Sequence, residues 1–130
     1  MTQNKIKANN YGDLLAQVLN MELLDFQTYG SYQGHYLAVL KEDERVHFYI
    51  GYYGSCSGCD WLEAEIDYAD GTIDYKEALD YCNSQSPARF ILPIGLLNDE
   101  MTRKYLTYCF SQEIGGFDEE EFKRIFDKLK

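Results

Sequence analysis

Cys56-Ser57-Gly58-Cys59 puts two thiols three positions apart, and a carboxylate, Asp60, follows at once. Three uses suit that spacing. Two thiolates so placed form half of a tetrahedral zinc site, whose other half would have to come from Cys82, Cys109, His35 or His47. Two thiols between a strand and a helix start also resemble a redox pair, because the first amides of a helix favour a thiolate. The third use is structural, with cysteine as a small buried apolar side chain at a sharp bend. We favour the structural use. The alternation of strands and crossover helices expected around a redox pair is absent, and no second half-site has ligand spacing. The favoured reading has no metal and no cofactor; the alternative has zinc on Cys56 and Cys59.

The bend runs Gly54-Ser55-Cys56-Ser57-Gly58-Cys59-Asp60, and its two glycines open backbone angles closed to other residues. Asp60 with Glu63 has capping-box spacing, so a helix is expected directly after it. Amides of Ser55, Cys56, Ser57, Gly58 and Cys59 converging there would hold a small anion such as a nucleotide phosphate, with the Asp60 carboxylate competing for the same donors.

Elsewhere the chemical signals are thinner. Gly71 and Glu77 fall at the sixth and twelfth positions of a calcium loop, but Ile66 and Tyr68 then stand where carboxylates belong, so Asp70-Gly71 reads as a turn. His35 and His47 lie on opposite arms of a hairpin whose register the sequence leaves open. A cysteine nucleophile with His47 as base would require the two to meet in space. No nucleophile elbow, glycine-rich phosphate loop or HExxH is present, which favours a binding protein over an enzyme.

The elements that carry these residues follow from periodicity. Tyr36 to Leu40 and Val46 to Tyr53 flank Lys41-Glu42-Asp43-Glu44-Arg45 and predict a β-hairpin. In its second arm Val46, Phe48, Ile50 and Tyr52 alternate with His47, Tyr49, Gly51 and Tyr53. Before it, residues 1–10 read as a loose lead-in and Tyr11 to Phe26 as one helix, with Leu14, Leu15, Val18, Leu19 and Leu23 on a stripe. After it, Asp74 caps a helix that turns Ala78, Leu79 and Cys82 inward. Arg89 to Leu92 fits either a strand or a buried connector. Asn98 reads as the cap of a helix over 99–112, on which Met101, Tyr105, Tyr108, Cys109 and Gln112 share one spacing. Asp118 and Glu121 start a last helix with an apolar stripe of Phe122, Ile125, Phe126 and Leu129. The expected fold is α+β: a single compact domain over 1–130, an antiparallel hairpin or small sheet packed against about four helices.

Composition bounds the function. Hydrophobic residues are 45% and charged residues 26%, as in ordinary globular domains, so disorder is not expected. The net charge of −10 repels a phosphate backbone and argues against direct nucleic-acid binding, while it suits docking on a basic groove of another protein. Twelve tyrosines supply rigid amphipathic rings for such a surface, though half-buried strand positions would use tyrosine equally well. With no apolar leader and no membrane-length run, the expected setting is the cytoplasm, where thiols stay reduced.

The hairpin with Tyr53-Gly54-Ser55-Cys56-Ser57-Gly58-Cys59-Asp60, about a quarter of the chain, resembles a segment of small bacteriophage proteins in which a strand enters a GSCSxCD turn and then an acidic helix. No catalytic assignment comes with that resemblance. It implies a bacterial host and a protein that binds host machinery, as anti-CRISPR and other anti-defence inhibitors do.

The expectation is therefore a non-enzymatic acidic protein that inhibits or modulates a nucleic-acid-binding effector of the host or its defences. Contacts are assigned to the hairpin tip, Glu42, Asp43 and Glu44, and to exposed Tyr49, Tyr52 and Tyr53. The alternatives are a thiol or zinc protein and anion capture at the turn. The apolar stripe of the last helix is left either to this chain's own core or to a homodimer.

Overall fold

Nearly every side chain from Val46 to Tyr53 is apolar or aromatic, so this strand needs cover on both faces. The computed structural model, which describes residues 5–30, 34–54, 61–66, 69–84, 88–114 and 116–129, gives it that cover. The elements are β1 (Lys5–Lys7), α1 (Tyr11–Leu19), β2 (Glu22–Gly30), β3 (Gly34–Glu42), β4 (Arg45–Tyr53), α2 (Trp61–Glu65), β5 (Thr72–Asp74), α3 (Tyr75–Ser84), β6 (Ala88–Pro93), a 3-10 turn (Ile94–Asn98), α4 (Glu100–Glu113) and α5 (Glu119–Leu129). Strands β2-β3-β4-β6 form one antiparallel sheet in that order, and β1 pairs with β5 apart from it. The chain is α+β, as expected.

Strand alternation builds two cores. Tyr36, Ala38, Leu40 and Tyr49 join one cluster with Leu14, Leu15, Leu62, Ala78 and Cys82 from α1, α2 and α3. Leu37, Val39, Val46, Phe48 and Ile50 join the other, with Leu106 and Phe110 of α4 and Phe122, Ile125 and Phe126 of α5. The sheet thus lies between two helical layers. In the second layer Phe122 sits 4.7 Å from Phe110 and 4.5 Å from Phe126, ring centre to ring centre. Phe122, Ile125 and Phe126 of the α5 stripe are buried within this chain, which settles where that helix packs.

The first layer explains much of the tyrosine content. Tyr11 stacks on Tyr36 at 4.6 Å, the Tyr36 and Tyr81 hydroxyls lie 2.7 Å apart, and the Leu62 amide donates to the Tyr11 hydroxyl at 3.0 Å. Phenols suit this layer because each ring fills volume while its hydroxyl finds a partner. Burial and the neighbouring Tyr81 push the Tyr36 hydroxyl well above its usual pKa. Gly51 stands opposite Tyr36, whose ring occupies the space a side chain there would need.

Three sequence expectations require correction, and one open choice is resolved. The helix begun at Tyr11 stops at Leu19, not Phe26, because Asn20 takes a left-handed conformation with φ 55° and its amide closes on the Ala16 carbonyl. Leu23 and Phe26 belong instead to β2. Residues Lys5–Lys7 of the supposed lead-in are paired with β5, and Asn10 caps α1 by accepting from the Asp13 amide at 2.8 Å. The cap of α4 is Asp99, not Asn98, and it accepts from both the Thr102 amide and hydroxyl. Arg89 to Leu92 resolves as strand, with Phe90 opposite Phe48.

Candidate interaction surface

The hairpin closes more tightly than expected. Glu42 pairs with Arg45, leaving a two-residue turn of Asp43 and Glu44 in which Asp43 has φ 55°, a conformation aspartate tolerates. All three tip carboxylates are exposed. The tip does not stand free: the Ile94 amide donates to the Glu44 carbonyl at 2.7 Å. Two residues further on, Leu96 is exposed, and the 3-10 turn then delivers the chain to Asp99 and α4. Hydrogen bonds from Thr102 hold the Asp99 carboxyl below the usual carboxylate range.

Helix α4 presents two stripes. Leu106 and Phe110 face the core, while Met101, Tyr105 and Tyr108 are 71%, 64% and 65% exposed. The spacing at Met101, Tyr105, Tyr108 and Gln112 is real, but this is the outer face of the helix. A contiguous row of large apolar side chains is costly to leave in water unless a partner covers it. Beside it, α4 and α5 border a groove of about 730 Å³ whose lining includes Tyr108, Phe117, Lys104 and Lys123. The Ile94 bond and the chain running from Ile94 into Glu100 therefore link the acidic tip to Leu96 and the α4 row. That link was not visible in the sequence; the exposed row alone had a periodic signal.

The tyrosines assigned to contacts separate. Tyr49 is fully buried, a correction: its hydroxyl accepts from Arg89 Nη1 at 3.0 Å and its ring belongs to the first core. Tyr53 is half-buried and lines a cavity of about 260 Å³ with Tyr11, Phe26 and Leu62. Tyr52 is 73% exposed, but it lies eight strand positions from Glu44, about 26 Å along the sheet. It cannot share a compact patch with the tip.

The bend Ser55, Cys56, Ser57, Gly58, Cys59 and Asp60 lies outside the described residues, and so does the Asp60 capping box. The two described cysteines still bear on the zinc alternative. Cys82 belongs to the first core and Cys109 packs against the second, with the sheet between them, so the two cannot both complete one site with the turn. Burial pushes the Cys82 thiol up to about 11. Among the described residues, no three His, Cys, Asp or Glu side chains are grouped to hold a metal ion. At the turn before β5, the Asp70 carboxylate accepts from the Thr72 amide and hydroxyl and Gly71 has φ 71°, the turn geometry expected in place of a calcium loop.

The register also settles the histidines. His35 pairs with Tyr52 and His47 with Leu40, so they lie on opposite faces of the sheet and do not meet. His47 is only 5% exposed. Neither of its ring nitrogens has a hydrogen-bond partner among the described residues, and Nε2 lies 3.6 Å from Glu42 Oε1. Burial lowers its pKa, with Arg89 and Arg45 acting in the same direction and Glu42 against them.

Among the described residues, no helix is long and apolar enough to cross a membrane. No protein-family model, curated protein or solved structure matches the chain.

Proposed function

We propose that this chain is a protein-binding inhibitor of the anti-CRISPR type. In that reading it acts in the cytoplasm of a bacterial host by docking on a basic, nucleic-acid-binding effector of the host or its defences. The observation that carries the reading is the link from Glu42, Asp43 and Glu44 through Leu96 to Met101, Tyr105 and Tyr108. Carboxylates at one end give charge complementarity to a groove built for phosphates, and exposed rings at the other supply apolar contact area. The net charge of −10 supports the same partner class and opposes self-association through this face. The bacteriophage resemblance at the hairpin and turn agrees with it.

Competition tests the proposal. Added to a defence nuclease carrying labelled guide or target nucleic acid, the chain should displace the nucleic acid at near-stoichiometric ratio. Effectors that keep their nucleic acid and show no complex with the chain would contradict it.

A further inference from the structure

His47 is an anomaly in an otherwise apolar strand. It sits on an interior strand of the sheet, near the hairpin end and nine-tenths buried, yet its two ring nitrogens make no hydrogen bond among the described residues. A neutral imidazole normally donates from one nitrogen and accepts at the other, so this ring gives up both. What surrounds it is a ring of charge on three strands. Glu42 comes from β3, Arg45 from β4 and Arg89 from β6, all on the face of the sheet that His47 occupies; Leu40 and Ile91 flank it directly, and the Tyr49 ring lies parallel at 6.3 Å. Glu42 is the diagonal neighbour on that face, and its carboxylate has folded back along the strand to within 3.6 Å of Nε2.

We propose that His47 is a pH switch for the docking surface: protonation of its ring draws the Glu42 carboxylate inward onto Nε2 and removes one of the three tip charges from the partner. The inference rests on the proposed role of the tip. One proton is taken from water, and the imidazolium and carboxylate become an ion pair in which Nε2 donates. Glu42 is the acidic group beside the ring that can answer the new charge, whereas Arg45 and Arg89 oppose it. With the ring uncharged, the Glu42 carboxylate lies near Nε2 without a hydrogen bond to it and its side chain stays about half exposed to a partner. Below the ordinary histidine range the charged ring needs a counter-ion, because an unpaired buried cation is costly. Glu42 then serves the ring instead of the partner.

Two measurements test this separately. In the first, the ring of His47 is titrated by NMR in the wild-type chain and in Glu42→Gln. The switch requires a midpoint below 6.5 that falls further in Glu42→Gln, by about 0.5 to 1 pH unit, a three- to tenfold loss of proton affinity. An unchanged midpoint, or a ring that stays neutral until the chain unfolds in acid, overturns it. In the second, a decalysine peptide serves as a basic probe at pH 7.5 and 5.0. The wild-type chain should lose about threefold in affinity on acidification, while Glu42→Gln, with no charge to withdraw, should start weaker and change little. Equal losses in both chains overturn the switch. Decalysine binding that ignores the tip at both pH values counts against the docking role alone, and the ring titration then decides the switch.

Discussion

The Ile94 amide donates to the Glu44 carbonyl at 2.7 Å, and this bond extends the β4–β6 ladder, which ends in the Arg45–Pro93 pair, to join the acidic turn of the β3–β4 hairpin to the segment that leads into α4. Ladder and bond together join a tip and a helix that lie 56 residues apart in sequence, Glu44 to Glu100. Amide exchange checks the connection. The Ile94 amide should exchange as slowly as amides within β4, because it opens only when the tip lifts from the 3-10 turn. Exchange at the rate of an open loop would mean that the tip moves independently.

Gly51 should not tolerate a side chain. A Cβ there would lie 2.5 Å from Tyr36 Cε2. The ring cannot retreat easily, held as it is by Tyr11 and the Tyr81 hydroxyl. Gly51→Ala should therefore cost about 1–3 kcal/mol in denaturant unfolding. In a Tyr36→Ala background, where the ring is gone, the same substitution should cost much less. Equal costs in the two backgrounds would refute the packing account.

Phe122→Ala should remove about 3–5 kcal/mol, because the side chain is fully buried between Phe110 and Phe126 and its loss opens a cavity. Met101→Ala and Tyr105→Ala, on the outer row of α4, should leave stability within about 0.5 kcal/mol. Urea midpoints for the three variants distinguish a core stripe from an interaction stripe.

Stability should fall as the pH drops below 6.5. The folded ring of His47 binds a proton less readily than the unfolded one, whose pKa is near 6.5, so acid favours the unfolded chain. This contribution is complete above pH 6.5 and is lost progressively as the pH falls towards the depressed folded value. The difference in Tm between pH 7.5 and 5.5 should narrow in His47→Gln. An undiminished difference would assign acid sensitivity to other groups.

Thiol reactivity should separate the two described cysteines. With its pKa pushed up to about 11 and its side chain buried, Cys82 stays a thiol at pH 8 and should react with iodoacetamide only on unfolding. Half-buried Cys109 should react sooner in the folded chain. Mass mapping of labelled peptides reads this directly.

What the sequence reveals here depends on whether a signal is local. Alternation in β4 and the Phe122, Ile125, Phe126 stripe of α5 are legible as elements because each period repeats within a few neighbouring residues. The end of α1 is not, since Leu23 and Phe26 continue a helical stripe in pattern and only Asn20, through its left-handed backbone, breaks it. β1 and β5 have three residues each, too few to show a period. On α4 both Met101-Tyr105-Tyr108 and Leu106-Phe110 have helical spacing, and only packing decides that the second faces inward. Tyr49 and Tyr52 look alike in sequence, yet one is a core residue and the other is exposed. The tip carboxylates could be named in advance, but not their tie through Ile94, because a backbone bond between distant segments leaves no mark in residue type.

The central claim is that the tip and the α4 row form one docking surface for a basic protein. Its most direct test is the affinity of the chain for a nucleic-acid-binding defence effector over a salt series, with the triple substitution Glu42→Lys, Asp43→Lys, Glu44→Lys and with Tyr105→Ala. The account predicts that charge reversal weakens binding by about tenfold or more at low salt, with the loss shrinking as salt rises, and that Tyr105→Ala weakens it at every salt concentration. Binding unaffected by both variants at every ionic strength would contradict it.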